Sequence, residues 1–336
     1  MSDPPVVVLA MSPVLCAGLV RPAQLERLHG LATVPDPEPL ARFDEPRADA
    51  LLSRAEILLT GWGCPPLDAE LLARAPALRA VVHAAGTVKN HVTPACFERG
   101  LAISSAAAAN ALPVAEYTLA AILFANKRAF QLSRRYCELR AFRLWAAETP
   151  GLGNYRKRIG LVGASRIGRR VLALLAPFHF EVRLSDPTLS DAEARALGVE
   201  CCPLEELLPW CDVLSLHAPL VHSTQGMLDA GRLALLRDGA TLVNTARGGL
   251  VDAVALEAEL VSGRIAAVID TTEPEVLPAD SPLYELPNVF LTPHIAGSMG
   301  DETERMVDLA LDEIERLARG APLEHGILRD DWEQIA

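Results

Sequence analysis

Lysine is nearly missing from this sequence: Lys89, Lys127 and Lys157 are its only examples, and the rest of the 31 basic residues are arginines scattered along the chain. Against them stand 43 acidic residues, for a formal net charge of -12. Nucleic acid and anionic membrane surfaces select concentrated positive charge, so this balance argues against both as partners. Paired cysteines are missing as well. The 7 cysteines are odd in number and show no CxxC spacing, which points to neither a disulfide framework nor a zinc site. The adjacent Cys201 and Cys202 fit small buried residues better than a redox pair. No apolar run approaches the roughly 20 residues that span a bilayer. The opening MSDPPVVVLAMSP has an acidic residue and no Lys or Arg before its short apolar run, the reverse of a secretory leader. Low-complexity tracts, charge blocks and heptads are lacking too. These absences leave a folded cytosolic protein with no metal, membrane or nucleic-acid partner as the expectation.

Half of the 336 residues are hydrophobic, and that length exceeds what one core usually organises, so two domains are expected. VVVLA (6–10), ILLT (57–60), LRAVVHA (78–84) and LAIS (101–104) read as strands, separated by helical patterns near 22–30, 67–75 and 94–99. Strands alternating with helices imply a parallel sheet covered on both faces. A single long helix is predicted from about Pro113 to Cys137, with Pro113 in its first turn, where a missing N–H costs nothing. The Pro and Gly residues of 144–155 predict a loop. A second alternation follows, with strands at 158–163, 181–186, 212–218, 240–246, 266–270 and 288–294. The last pattern, 299–319, is a helix with Met306, Leu309, Ile314 and Leu317 on its apolar side, suited to either domain.

RIGLVGASRIGRR (158–170) has the outline of a GxGxxG dinucleotide turn with Ser165 in place of the middle glycine. Gly163 and Gly168 keep the tight bend and the helix-to-strand packing. Ser165 adds a Cβ where backbone approaches the pyrophosphate, but its hydroxyl can donate to a phosphate oxygen. A helix opening at Arg166 and Ile167 points free N–H groups at the anion. A slightly displaced pyrophosphate is therefore expected. Alone, so altered a motif is equally well explained as a plain strand-to-helix turn. Its context favours the dinucleotide: a strand before, a helix after, and Asp186 at the end of the next strand, about 20 residues on. A carboxylate there accepts from a ribose 2'-hydroxyl and repels a 2'-phosphate, which favours NAD over NADP.

Three further motifs fall at strand ends: NTARGGLVD (244–252), DTTEPE (270–275) and LTPHIAG (291–297). Ligands of open α/β sheets bind at those carboxyl ends. Arg247 could cap a helix, His294 could be structural, and Glu273 and Glu275 could be solvated loop charges. Together they suit hydride transfer to a 2-oxo acid. Arg247 would grip the carboxylate and polarise the carbonyl, His294 would protonate the developing alkoxide, and a glutamate would favour the histidine's cationic form.

With these residues the chain resembles the D-isomer-specific 2-hydroxyacid dehydrogenase family from about residue 55 to 310. The family's Arg in NxxRG, its Glu after an Asp and its His in TPHxxG fall on Arg247, Glu275 and His294, which selects Glu275 over Glu273. The resemblance implies that Gly163, Ser165, Arg166, Ile167, Gly168, Asp186, His217, Pro219, Thr224, Thr245, Ala246, Asp270 and His294 meet NAD, with Asp270 at the nicotinamide carboxamide. LHAPL (216–220) and PVAEY (113–117) also match family motifs. Two doubly wound parallel-sheet domains with a cleft between them are implied: a flavodoxin-like substrate domain, 1–109 with 298–336, and a Rossmann coenzyme domain, 110–297. Relatives pair as homodimers through the coenzyme domain, for which 113–155 is the natural contact.

The sequence departs from the family at VVHAAGTVKNHV (81–92), where relatives carry a glycine-rich loop whose amides hold the substrate carboxylate. Ala85, Gly86 and Thr87 would serve here, and Lys89 would attract a second anionic group. Trp62 matches a substrate-facing position, and Trp145 resembles a tryptophan that reaches a neighbouring subunit's active site. Thr271 and Thr272 replace more apolar residues with no expected consequence. Two other functions compete on the same fold: an NAD-responsive regulator, which needs no proton donor, and a formate- or phosphite-type dehydrogenase.

Overall fold

Short runs rich in Val, Ile, Leu and Ala, buried along their length in the central strands, form most strands of two parallel sheets, the composition of strands covered on both faces. The computed structural model describes residues 3–332, apart from the side chain of Ala146. They divide into two compact units: one runs to Asn110 and resumes at Ser298, and the other is Ala111–Gly297.

In the first unit β1 (Val7–Ala10), β2 (Ile57–Thr60), β3 (Ala80–His83) and β4 (Ala102–Ser105) pair in that order, all parallel. On the free side of β1, isolated parallel bridges join Val6 to Thr33 and Ala10 to Leu40. The chain thus leaves β1 in one direction and returns to β2 on the other side, which makes the sheet doubly wound. Side chains alternate between two cores. Val8, Leu58, Val81 and Ile103 face one, while Val7, Leu9, Ile57, Leu59 and Val82 face the other. The closing helix Thr303–Ala318 covers the second core with Met306, Val307, Ala310, Leu311 and Ile314. The predicted apolar side is thereby corrected: Leu309 and Leu317 lie only at its margin, because 303, 306, 307, 310, 311 and 314 form the continuous helical stripe.

In the second unit β5 (Arg158–Val162), β6 (Glu181–Ser185), β7 (Glu200–Cys201), β8 (Val213–Leu216), β9 (Thr241–Asn244), β10 (Ala266–Ile269) and β11 (Val289–Leu291) stand in the order β11-β10-β9-β8-β5-β6-β7. The order reverses between β5 and β8, the switch point where open sheets take ligands.

Several local expectations are corrected. The helix predicted over 113–137 is two helices, Ala107–Asn126 and Ala129–Leu139, with Arg128 left-handed between them at φ 48°. The Asn126 carbonyl accepts from Gly153 N–H instead of continuing the helix. Pro113 lies inside the first helix, whose alanine-rich start nucleates earlier than the proline. Trp145–Glu148 forms a helical turn within the predicted loop, with Arg135 paired to Glu148 at 3.1 Å and lying over the Trp145 ring. The helix Ala107–Asn126 is, by length and composition, apolar enough to cross a membrane, although Asn110, Glu116 and Thr118 interrupt its apolar sequence. It turns Ala115, Ala121, Ile122 and Ala125 into a core of the second unit. Cys201 and Cys202 are half-buried free thiols rather than buried ones.

Candidate active site

The glycine turn leaves β5 at Gly163 (φ 97°), and a Cβ there would lie 2.6 Å from the Ala218 nitrogen. At Gly168 a Cβ would lie 2.1 Å from the Gly163 carbonyl oxygen. Neither position admits a side chain. Ser165 differs: its φ of -62° suits any L-residue, and its hydroxyl accepts from Gly168 N–H at 3.2 Å, capping the helix Arg166–Leu175. Its own proton remains available to a ligand. The capping role was legible, since serine before a helix is a strong N-cap signal, but the dinucleotide reading obscured it. Arg166 is exposed and Ile167 half-buried at the helix start. Asp186 follows β6, and its carboxylate accepts from Ala164 N–H at 2.6 Å and from the Thr188 hydroxyl at 2.7 Å. The acidic residue and the glycine turn are thus one hydrogen-bonded unit.

His217, just past β8, is fully buried beside Gly168. Ser215 Oγ lies 2.9 Å from its Nε2, and burial pushes its pKa down to about 3. Its Nδ1 has no partner among the described residues. The Thr224 hydroxyl donates to the Pro219 carbonyl at 2.6 Å and accepts from Val221 N–H, closing the turn after β8. Thr245 and Ala246 follow β9 and are buried, Thr245 against the Thr118 hydroxyl at 2.8 Å.

Arg247, Glu275 and His294 come from the ends of the adjacent strands β9, β10 and β11. Arg247 is half-buried, and its Nη1 donates to the Ala246 carbonyl at 2.7 Å. Burial lowers its pKa, and the charge of Glu275 opposes that shift, so the guanidinium stays cationic and close to the glutamate. At Gly248 a Cβ would lie 2.1 Å from the Thr272 carbonyl carbon, so a glycine after Arg247 is what lets the two strand-end loops touch. The Thr272 hydroxyl donates toward the Pro274 and Glu275 carbonyls at 2.7 and 2.8 Å. That bond shapes the turn presenting Glu275, a consequence the sequence reading did not assign to Thr272.

His294 Nδ1 and Glu275 Oε1 are 2.6 Å apart, with side-chain exposures of 47% and 59%. The other glutamate, Glu273, has no ion pair with His294 among the described residues. His294 is left-handed at φ 55°, a costly conformation for a residue with a Cβ unless its surroundings impose it. Asp270 supplies that constraint. Its Oδ1 accepts from Thr292 Oγ1 at 2.6 Å and from Ile295 N–H at 2.9 Å, and its Oδ2 accepts from Ala296 N–H at 2.9 Å. Its backbone carbonyl accepts from His294 N–H at 2.9 Å. Because the Thr292 proton goes to the carboxylate, the Tyr117 hydroxyl 2.8 Å away must donate to Thr292. Tyr117 and Thr292 stand in motifs noted from the sequence, yet their role emerges only from this long-range contact.

Residues 119–296 match the family model of the D-isomer specific 2-hydroxyacid dehydrogenase NAD binding domain, more than half of the chain. The chain belongs to this family. Among its relatives, the D-3-phosphoglycerate dehydrogenase of Mycobacterium leprae is 36% identical over 263 residues, covering 77% of this chain and 47% of that protein. The chain thus spans about half the length of the phosphoglycerate dehydrogenases it matches. The (S)-sulfolactate dehydrogenase of Chromohalobacter salexigens is 34% identical over 275 residues, covering 78% and 87%. A phosphoglycerate oxidoreductase from Rhizobium etli has the same fold, with a TM-score of 0.79 and 26% identity over 96% of this chain and 98% of its own. The second unit is accordingly the family's NAD-binding domain, and the two parallel-sheet units are the family's architecture.

Apart from Arg247, the predicted substrate residues lie in the first unit and are described there by themselves. Ala85 is buried, while Gly86, Thr87 and Lys89 are half-buried in the loop after β3. The N–H groups of Gly86, Thr87 and Val88 meet no acceptor among the described residues, whereas their neighbours Ala84 and His91 do. Lys89 N–H donates to Thr87 Oγ1 at 3.3 Å. Trp62 is 38% exposed after β2, and its carbonyl accepts from Ser12 N–H.

Proposed function

We propose that this protein transfers a hydride between NAD(H) and C2 of a 2-hydroxy/2-oxo acid, with His294 as acid/base, Glu275 as its partner and Arg247 on the substrate carboxylate. The 2.6 Å contact between His294 Nδ1 and Glu275 carries the reading. With Nδ1 engaged, Nε2 is the nitrogen left to give or take a proton, and the imidazole cannot rotate without breaking the pair. Arg247 offers a planar fork of donors beside it, suited to a carboxylate.

The turn at Gly163–Gly168 fits the dinucleotide: a Cβ at either glycine would collide with neighbouring backbone, so the tight turn is kept, and the helix start at Ser165 presents free N–H groups to a pyrophosphate. When bound, NADH supplies the hydride. Asp186 favours NAD over NADP, because it would meet the adenosine ribose with negative charge. Residues of this chain do the rest, namely grip of the carboxylate, proton delivery, and orientation of His294 by Asp270, Thr292 and Tyr117.

The substrate reading extends to an acid with a second anionic group. Both D-3-phosphoglycerate and (S)-sulfolactate, which name two of the relatives, carry one, and Lys89 is the residue proposed to receive it here. A homodimer through 113–155 is the proposed assembly. The helix Ala129–Leu139 buries none of its residues, and Tyr136, Leu139, Phe142 and Leu144 beside it are exposed, the kind of apolar surface that marks an association site.

The test is loss of NADH absorbance with glyoxylate, pyruvate, hydroxypyruvate, phenylpyruvate and phosphonopyruvate, using NADPH and His294→Ala as controls. Turnover with NADH that is lost in the variant is the expected result. NADH binding without turnover on any 2-oxo acid would favour a regulator. Lys89→Ala should raise KM for the phosphonate and leave the pyruvate KM in place; equal, unchanged constants would remove Lys89 from the site.

A further inference from the structure

Three buried polar side chains in the first unit have no role in the chemistry above. Thr60 ends β2, His83 ends β3, and His91 stands beyond the loop that follows β3, at relative exposures of 0%, 2% and 2%. Thr60 Oγ1 lies 2.9 Å from His83 Nδ1 and 3.2 Å from His91 Nε2. The ring centroids are 4.5 Å apart.

The Thr60 hydroxyl carries one proton, so it donates to one ring at most. Burial lowers the pKa of His83 and takes that of His91 to about 4, so each ring is neutral with a single N–H. The other ring then donates its N–H to Thr60 Oγ1, so at least one of His83 Nδ1 and His91 Nε2 carries a proton. Thr60 thereby ties the end of β3 at His83 to the far side of the loop at His91. The loop they grip is the one in which Gly86, Thr87 and Val88 hold unengaged amides.

We propose that Thr60, His83 and His91 are positioning residues for substrate: they lock the 84–91 loop so that its amides stand ready for an anionic group of the 2-oxo acid. The inference rests on the dehydrogenase reading for the identity of that acid. Its physical content is preorganisation, since a loop fixed before binding loses less freedom when the anion arrives. Val88, fully buried, pins the loop from the apolar side, and its carbonyl accepts from His91 and Val92 N–H.

Ring nitrogen NMR on the wild-type protein at pH 7 should find His83 and His91 neutral, each held in one tautomer, with a proton on at least one of His83 Nδ1 and His91 Nε2. A cationic ring, or tautomers that interchange freely, would overturn the proposal. Glyoxylate titrated into labelled protein with NAD+ present should shift the Gly86, Thr87 and Val88 amides. Thr60→Val should weaken that binding at least tenfold and raise the glyoxylate KM with kcat within about threefold. Thr60→Ser should restore both, and NADH affinity should be unchanged in either variant. Thr60→Val that folds and binds glyoxylate like the wild type would also overturn it. If the amides respond as expected but no 2-oxo acid is turned over, the loop device stands and the dehydrogenase reading fails.

Discussion

His294 is the residue on which the proposed proton transfer turns, and its neighbours define what each substitution should do. General acid catalysis contributes about 10²- to 10⁴-fold, so His294→Ala should lower kcat by that order while leaving NADH affinity within a few fold, as read by steady-state kinetics and NADH fluorescence. Arg247→Lys keeps the charge but loses the fork. It should raise substrate KM about tenfold or more, the worth of roughly 1.5–3 kcal/mol for a charged hydrogen bond; an unchanged KM would remove Arg247 from the carboxylate. At this scale the sequence was informative for residues whose type is dictated by chemistry. Arg247, Glu275 and His294 stood at strand ends in recognisable company, and spacing chose Glu275, which the 2.6 Å contact supports. It was silent on residues that act through others. Nothing local to Tyr117 says that its hydroxyl meets Thr292, 175 positions away.

Elements place these residues, and the loops after β9, β10 and β11 carry more of the burden than the strands. Gly248 allows one loop to touch the next, Thr272 shapes the turn of Glu275, and Asp270 draws the 292–296 backbone around its carboxylate. Thr272→Val should therefore reduce kcat several-fold with a Tm change of only a few degrees, because it frees the Glu275 turn without opening a core. Gly168→Ala is the contrasting case. Its methyl group would meet backbone, the Gly163 carbonyl, so about 1–3 kcal/mol of stability should be lost in denaturant unfolding together with NADH affinity. The alternation of strands and helices was legible because buried aliphatic runs and amphipathic spacing are local signals. The break at Arg128 was not, since the Asn126 carbonyl is claimed by Gly153, a contact that no window of sequence contains.

For the whole molecule, buried neutral histidines set the acid side of stability. The pKa values of His91 and His217 fall to about 4 and about 3, and His83 is lowered as well, all chiefly by burial. An unfolded histidine binds its proton near pH 6.5, so below that pH the unfolded state holds more protons and stability falls as pH drops from about 6.5 toward 4. Each such histidine contributes at most about 1.4 kcal/mol per pH unit. Urea unfolding at pH 7 and pH 5 should show the loss, and replacing His217 with an apolar residue should flatten the slope. The proposed homodimer is tested at this scale: the wild-type protein should sediment as a dimer and Phe142→Glu as a monomer of unchanged fold. The central claim, hydride delivery to C2 of a 2-oxo acid with His294 supplying the proton, is tested most directly with NADH deuterated at C4. The hydroxy acid formed by the wild-type protein should carry deuterium at C2 when the label is on the transferred face, and His294→Ala should form almost none. Consumption of NADH without deuterium at C2, or equal product from the variant, would contradict it.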